Sequence, residues 1–281
     1  MKLLFAIPHF YNPEGGGRHG SLRKNPRPRI TALTQCIYNL RYLYDSFPCW
    51  INHARGVASP AEGQGYKVDI IICTTGNFHL LSQIPLPSSF FEHCPTQAEP
   101  KLLGFECHRV LKENLGRYDY YCYLEDDLIL HDPWFFIKLN WFTSQAGNGS
   151  VLQPNRYEHA IKGDRVWKCY VDGELRPDIT ARFQDIQQEY ELAGTIMGEK
   201  ISLRRTLNPH SGCFFLNAEQ MEHWSSMPYF LDRDCSFIGP LESAATLGIM
   251  KTFRVYKPAP PYTSFLEIQH FGNGYLSLIP H

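Results

Sequence analysis

The chain has 281 residues, 43% of them hydrophobic and 20% charged, with a net charge of -1. That length suits one large α/β domain or a domain with a subdomain, and the near-neutral balance excludes a global field that would recruit nucleic acid or anionic lipid. Nine cysteines without a Cys-x-x-Cys pair give no support to a zinc ribbon or a thioredoxin-type site, and are expected as reduced thiols of a cytoplasmic protein.

Lys2 to Pro8 is a continuous apolar run and reads as the first strand of a buried parallel sheet. The unbroken apolar run before Pro8 is five residues, Leu3 to Ile7, too short for a signal-peptide core, and no later run reaches the length of a membrane span. The loop Asn12 to Arg29 is glycine-rich and basic. Its spacing from Gly15 to Gly20 imitates a P-loop, but Ser21 and Leu22 stand where lysine and Ser/Thr are required, so that nucleotide site is rejected. Such a loop is still placed to reach a pyrophosphate, with a solvated surface loop as the plain alternative. Ile30, Leu33, Ile37, Leu40 and Leu43 fall at helical spacing, predicting a helix from Ile30 to Phe47 that Pro48 and the run Ala58 to Gly65 close. Lys67 to Thr74 is a second buried strand, and the loop Thr75-Gly76-Asn77 follows its carboxyl end, where open α/β sheets bind ligands. Pro85 to Pro100 holds four prolines and is expected to be irregular. Lys101 to Leu115 is predicted as a helix that Gly116 ends.

The stretch Tyr118 to Phe136 organises the rest. Tyr120, Tyr121, Tyr123, Leu124, Leu128, Ile129 and Leu130 favour buried strand, yet Glu125, Asp126 and Asp127 interrupt them. Unpaired carboxylates in a dry site cost several kcal/mol each, so these three must emerge at a strand end or hold a cation. Hard oxygen ligands of this kind suit Mg²⁺ or Mn²⁺. An acidic turn with no ligand is the plain alternative. Pro133 is predicted as the first residue of a helix through Trp134, Phe135, Ile137 and Leu139. Alternation of strand and helix through the first half argues for a parallel sheet with right-handed crossovers.

The order apolar strand, Glu125-Asp126-Asp127-Leu128, short acidic turn with Pro133, then aromatic residues opening a helix resembles the metal-binding signature of GT-A glycosyltransferases, in the Glu-Asp-Asp form of the N-acetylglucosaminyltransferase I group. The resemblance implies an α/β, Rossmann-like fold: a central, mostly parallel sheet flanked by helices, with a smaller acceptor-side sheet. It implies a single domain over residues 1–281, with a nucleotide-binding half (1–131) and a donor-sugar and acceptor half (132–281). Pro8 and Thr75, at the ends of the first two strands, are then expected on the nucleotide, and Glu125 or Asp126 on ribose hydroxyls or metal-bound water.

In the second half, Val151 to Tyr157 and Val166 to Val171 read as strands with Asp172-Gly173 as a turn, while Ile179 to Tyr190 is a polar stretch of undecided state. Asn208 to Gly212 leads into the apolar strand Cys213 to Asn217 and a helix from Ala218 to Trp224, an order similar to the donor-sugar pocket of GT-A enzymes, which places Ser211 and Gly212 there. Pro240 opens a helix with Glu242 in its first turn. The resemblance implies that Glu242 is the general base of an inverting transfer, with Asp232 and Asp234 as competing candidates. It likewise implies His270, near the carboxyl end, as a metal ligand with Asp127 and two pyrophosphate oxygens, Mn²⁺ or Mg²⁺ being the ion. The expected activity is transfer of a sugar from a nucleotide sugar, with UDP the expected nucleotide, to a hydroxyl acceptor. A metal-dependent phosphoesterase and a non-catalytic carbohydrate-binding protein are the alternatives.

Overall fold

A computed structural model describes residues 1–16, 20–61, 65–260 and 262–279. Within the basic loop, Gly17-Arg18-His19 lie outside the described residues, as do residues 62–64 of the run after the first helix.

Residues Leu3 to Ile7 are apolar and wholly buried, which demands cover on both faces, and Lys2–Pro8 is the middle strand of a five-stranded sheet. The spatial order is Cys213–Asn217, Tyr120–Leu124, Lys2–Pro8, Lys67–Thr75, Glu92–Thr96. The last four run parallel, and Cys213–Asn217 pairs antiparallel with Tyr120–Leu124. Because successive side chains point to opposite faces, each strand feeds two cores. Leu3, Phe5, Ile7 and Cys122 pack with Leu33, Ile37, Phe135 and Phe136 of the helices Arg27–Tyr44 and Phe135–Ala146. Leu4, Ala6, Tyr121 and Tyr123 pack with Cys107, Leu111, Met221 and Trp224 of the helices Leu103–Glu113 and Ala218–Ser225. The expected class, α/β with a mostly parallel central sheet between helices, is the class found.

Two four-stranded sheets stand beside this layer. One is ordered Arg165–Tyr170, Asn155–Lys162, Glu267–His270, Leu128–Ile129, and the other Glu191–Ile196, Glu199–Arg205, Arg254–Pro258, Ser150–Leu152.

Several expected boundaries shift, each for a physical reason. The first helix starts at Arg27, with Pro28 inside its first turn, and stops at Tyr44, leaving Phe47 exposed. The run after it contains an exposed hairpin, Cys49–Asn52 with Val57–Pro60. The proline-rich excursion includes the edge strand Glu92–Thr96, where Pro95 is tolerated because one side of an edge strand carries no ladder. The stretch from Val151 to Tyr157 is two strands broken at Gln153-Pro154. The reversal between Asn155–Lys162 and Arg165–Tyr170 is made at Gly163, with φ of +62°, while Asp172 is drawn into an ion pair. The helix after the acidic turn starts at Phe135, because the Asp132 carboxylate accepts from the Trp134 backbone N–H at 2.8 Å and keeps Pro133 in the preceding turn. All nine cysteines are free, and no helix among the described residues is long and apolar enough to cross a membrane.

Gly104 shows how tightly the second core closes. A Cβ there would lie 2.6 Å from the Ala244 Cβ and 2.9 Å from the Tyr123 hydroxyl. Gly104→Ala should therefore lower stability by about 1–2 kcal/mol despite its better helix propensity, read as a lower urea midpoint with an unchanged slope.

Candidate active site

The fully buried strand Tyr120–Leu124 delivers Glu125, Asp126 and Asp127 to its carboxyl end, alongside the carboxyl end of Lys2–Pro8. Asp126 is 5% exposed, so its charge must be met inside the protein. His9, the residue after the first strand, donates from Nδ1 to Asp126 Oδ2 at 2.5 Å, and its tautomer is set by Leu80, whose backbone N–H donates to Nε2 at 3.1 Å. Arg29, in the first turn of the helix Arg27–Tyr44, hydrogen-bonds Asp126 Oδ1 through Nη2 and Asp127 Oδ2 through Nη1, the latter at 2.8 Å. Burial pushes the Asp126 carboxyl up, but Arg29 and His9 outweigh it and bring the group down to about 2.

Glu125 is held differently. Its backbone N–H donates to the Gly212 carbonyl at 3.0 Å, and its side chain rests against Gly212, where any Cβ would strike Oε2. Gly212 also has φ of +63°, so both conformation and contact require glycine. Burial pushes the Glu125 carboxyl up to about 7, and Arg156, 3.6 Å away, opposes this only in part. The Arg156 guanidinium is committed to Asp172 at 2.7 to 3.2 Å, and Lys257 joins the same carboxylate at 3.3 Å. Lys257 also donates to the His210 carbonyl at 2.5 Å, and the Ser211 hydroxyl to the Pro154 carbonyl at 2.7 Å, which fastens the turn Asn208 to Gly212 beside the acidic turn.

His270 arrives by strand pairing. Leu128–Ile129 pairs with Glu267–His270 in the register His270 opposite Leu128, and the Phe271 N–H donates to the Asp127 carbonyl at 2.8 Å. The ring then places Nε2 3.8 Å from Asp127 Oδ2, while Nδ1 meets Glu158 Oε1 at 2.9 Å. Glu158 is fully buried and also accepts from the backbone N–H groups of Tyr275 and Leu276 at 3.2 and 2.7 Å. Burial would lower the His270 pKa, but the Glu158 hydrogen bond and the Asp127 charge raise it.

An imidazole oriented through one nitrogen by a carboxylate, with the other nitrogen facing a second carboxylate, is the donor arrangement metal-binding histidines use. Five carboxylates, Glu125, Asp126, Asp127, Glu158 and Asp172, meet Arg29, Arg156, Lys257 and His270, and with the Glu125 carboxyl pushed up the opposing charges come close to balance. Asp127 and His270 fit two positions of an octahedral ion, the rest being left to a ligand and water. Among the described residues no group of three or more His, Cys, Asp or Glu side chains is arranged around a metal position.

The structure brings Glu125, Asp126, Asp127, Ser211, Gly212 and His270 together. Pro8 immediately precedes His9, and Thr75 lies on the neighbouring strand with its hydroxyl donated to the Ala98 carbonyl at 2.5 Å. Asp234 is engaged elsewhere: Lys251 donates to it at 2.6 Å, the Ser236 N–H at 2.9 Å, and the Lys251 hydrogen bond leads in bringing its carboxyl down to about 2. Asp232 lies 3.9 Å from the same lysine. Glu242 sits in the first turn after Pro240, and Thr246, one turn further on, contacts His210 Nδ1 at 2.8 Å, which ties that helix to the edge of the site.

Sequence reasoning missed His9, Arg29, Arg156, Glu158, Asp172 and Lys257. Arg29 closes the basic loop already singled out. Arg156 and Glu158, two apart on one strand face, carry a signal: ionisable residues facing inward on a strand need partners.

No family model and no curated protein matches the chain. Among solved structures it is similar to a protein titled only as mycobacterial, at 14% identity and a TM-score of 0.44, over 92% of this chain and 65% of that one. It is similar also to mouse xyloside xylosyltransferase 1 in its apo form, at 11% identity and a TM-score of 0.44, over 100% of both chains. At such identities and scores neither likeness carries chemistry to this chain.

The Glu125 environment sets a pH dependence. Below its ordinary value of 4.5 the group is protonated in folded and unfolded chains alike; from there to about 7 only the unfolded chain loses the proton, so folding stability falls as pH rises. Glu125→Gln should melt like wild type at pH 4 but exceed it at pH 8, in metal-free buffer, by up to about 2–3 kcal/mol.

Proposed function

We propose that the protein is a metal-dependent glycosyltransferase of the GT-A type, moving a sugar from a nucleotide sugar, with UDP the expected nucleotide, to a hydroxyl acceptor. The observation that carries this reading is the facing pair Asp127 and His270, 3.8 Å apart at the end of a buried strand, with Glu158 orienting the imidazole. We take Mn²⁺ or Mg²⁺ as the ion, and the imidazole favours Mn²⁺, since Mg²⁺ prefers all-oxygen shells. When bound, the ion offsets charge on the diphosphate leaving group. We read residues 1–281 as one such domain, with 1–131 serving the nucleotide and 132–281 the donor sugar and acceptor. The cysteine usage favours a reducing compartment, the cytoplasm.

The chain's own groups have distinct tasks in this reading. Arg29 supplies positive charge beside the diphosphate position. Gly212, lacking a side chain, leaves room for Glu125 and for close approach of the donor sugar to the backbone. Glu125 or Asp126 serves the ribose hydroxyls or metal-bound water, and Pro8 and Thr75 border the nucleotide. Glu242 takes the acceptor proton as the hydroxyl attacks, because Asp234 is drawn down by Lys251 into a poor base. Direct displacement of this kind inverts the sugar.

Asp127→Asn should weaken Mn²⁺-dependent UDP binding in calorimetry by at least about tenfold, and unchanged binding would remove the metal site. Glu242→Gln should retain UDP affinity while transfer falls by about 10²–10⁴; a full-rate variant takes the base role away from Glu242.

A further inference from the structure

Asp127 Oδ2 has two claimants. It is the oxygen that faces His270 Nε2 at 3.8 Å, and it is also the oxygen that Arg29 Nη1 holds at 2.8 Å. A divalent ion shared by Asp127 and His270 would meet the guanidinium on one atom, and two cations that close repel strongly in a partly dry site. Asp126 has no such conflict, because His9 holds its second oxygen.

Arg29 is built to move its allegiance without moving its helix. Asn39 of the same helix donates to the Leu130 carbonyl at 3.0 Å and Tyr44 to the Asp132 carbonyl at 2.6 Å, so the helix is pinned along the acidic segment. The Arg29 stem passes under Gly20, whose absent Cβ would sit 3.6 Å from the arginine Cδ. Its Nε is buried and has no hydrogen-bond partner among the described residues, an unfilled donor next to two that are engaged. A phosphate accepting from Nε and an Nη together would fill the fork.

Resting on the glycosyltransferase reading, we infer that Arg29 is an internal counter-ion: it neutralises Asp127 in the empty site, yields that oxygen to the divalent ion, and passes to the diphosphate of the donor. Ion and diphosphate then enter as coupled ligands. The ion alone must displace Nη1 from Asp127 while Arg29 stays on Asp126, leaving two cations close together, whereas the diphosphate gives the freed donor an acceptor. Since coupling between two ligands is reciprocal, each tightens the other.

Calorimetry with MnCl₂ alone, UDP alone and both together tests this on wild type, Arg29→Gln and Arg29→Lys, with melting curves in parallel. Wild type should bind Mn²⁺ about tenfold more tightly when UDP is present. Arg29→Gln should bind Mn²⁺ alone about tenfold more tightly than wild type, bind UDP less tightly, and lose most of the coupling. Its melting temperature, lowered without metal, should recover on adding Mn²⁺, which the loss of a merely structural arginine would not do. Arg29→Lys, retaining the charge without the fork, should keep weak binding of Mn²⁺ alone. If Arg29→Gln binds Mn²⁺ no better than wild type, the counter-ion role is overturned while the transferase reading stands; wild type without coupling overturns both, since that reading has UDP binding depend on Mn²⁺. If the glutamine variant does not fold, Arg29→Lys decides: weak binding of Mn²⁺ alone with most of the coupling lost supports the transfer of the guanidinium fork to the diphosphate, and coupling as strong as in wild type overturns it. Wild type that binds neither Mn²⁺ nor UDP overturns both.

Discussion

Three carboxylates in succession at the end of a buried strand set the terms for the rest of this molecule. Asp126 is almost wholly enclosed, and its neighbours are only slightly more open, so each negative charge must be matched or suppressed. The protein does both. Arg29 and His9 match Asp126, Arg29 also matches Asp127, and Glu125 is left with its carboxyl pushed up toward neutrality. What remains is Asp127, shared between Arg29 and the outward nitrogen of a histidine that its own glutamate anchors.

Compensation at this point also links the layers. His9 comes from the first parallel strand, Arg29 from the helix covering one face, Arg156 and Glu158 from the neighbouring sheet, and His270 from the strand that pairs with the continuation of the acidic turn. A second buried cluster, Arg156, Asp172 and Lys257, leans on Glu125 from the side where Ser211 and Gly212 close the turn. Buried ion pairs add little net stability compared with apolar packing, but breaking one strands a charge, so such clusters hold a geometry more than they deepen a well. Here the geometry held is that of Glu125 against the turn that Ser211 and Gly212 close.

Local patterning shows where inference from residues works. The buried run from Leu3 to Ile7, the helical spacing from Ile30 to Leu40 and the interrupted strand at Tyr120 each satisfy one dominant demand, and each is found where expected. The hairpin Glu191–Ile196 with Glu199–Arg205 alternates in burial, with Ile201 and Leu203 inward, but Gly194 and Arg205 also take inward positions, so the alternation is blurred in residue type and its residues announce little. Pro95 signals a break to a local reading, yet an edge position makes it compatible with a strand, and being an edge is not a local property.

By itself the sequence determined the α/β class and the position of Glu125, Asp126 and Asp127 at the end of a buried strand, because burial preference and charge belong to single residues and their near neighbours. Only the tertiary structure decided which cation meets which carboxylate: Arg29 on Asp126 and Asp127, 97 and 98 residues away, His9 on Asp126, 117 away, and Glu158 on His270, 112 away. Those pairings depend on strand order and register, which set distances of a few ångströms between segments that are distant along the chain, and electrostatic energy in a dry site varies steeply over that range.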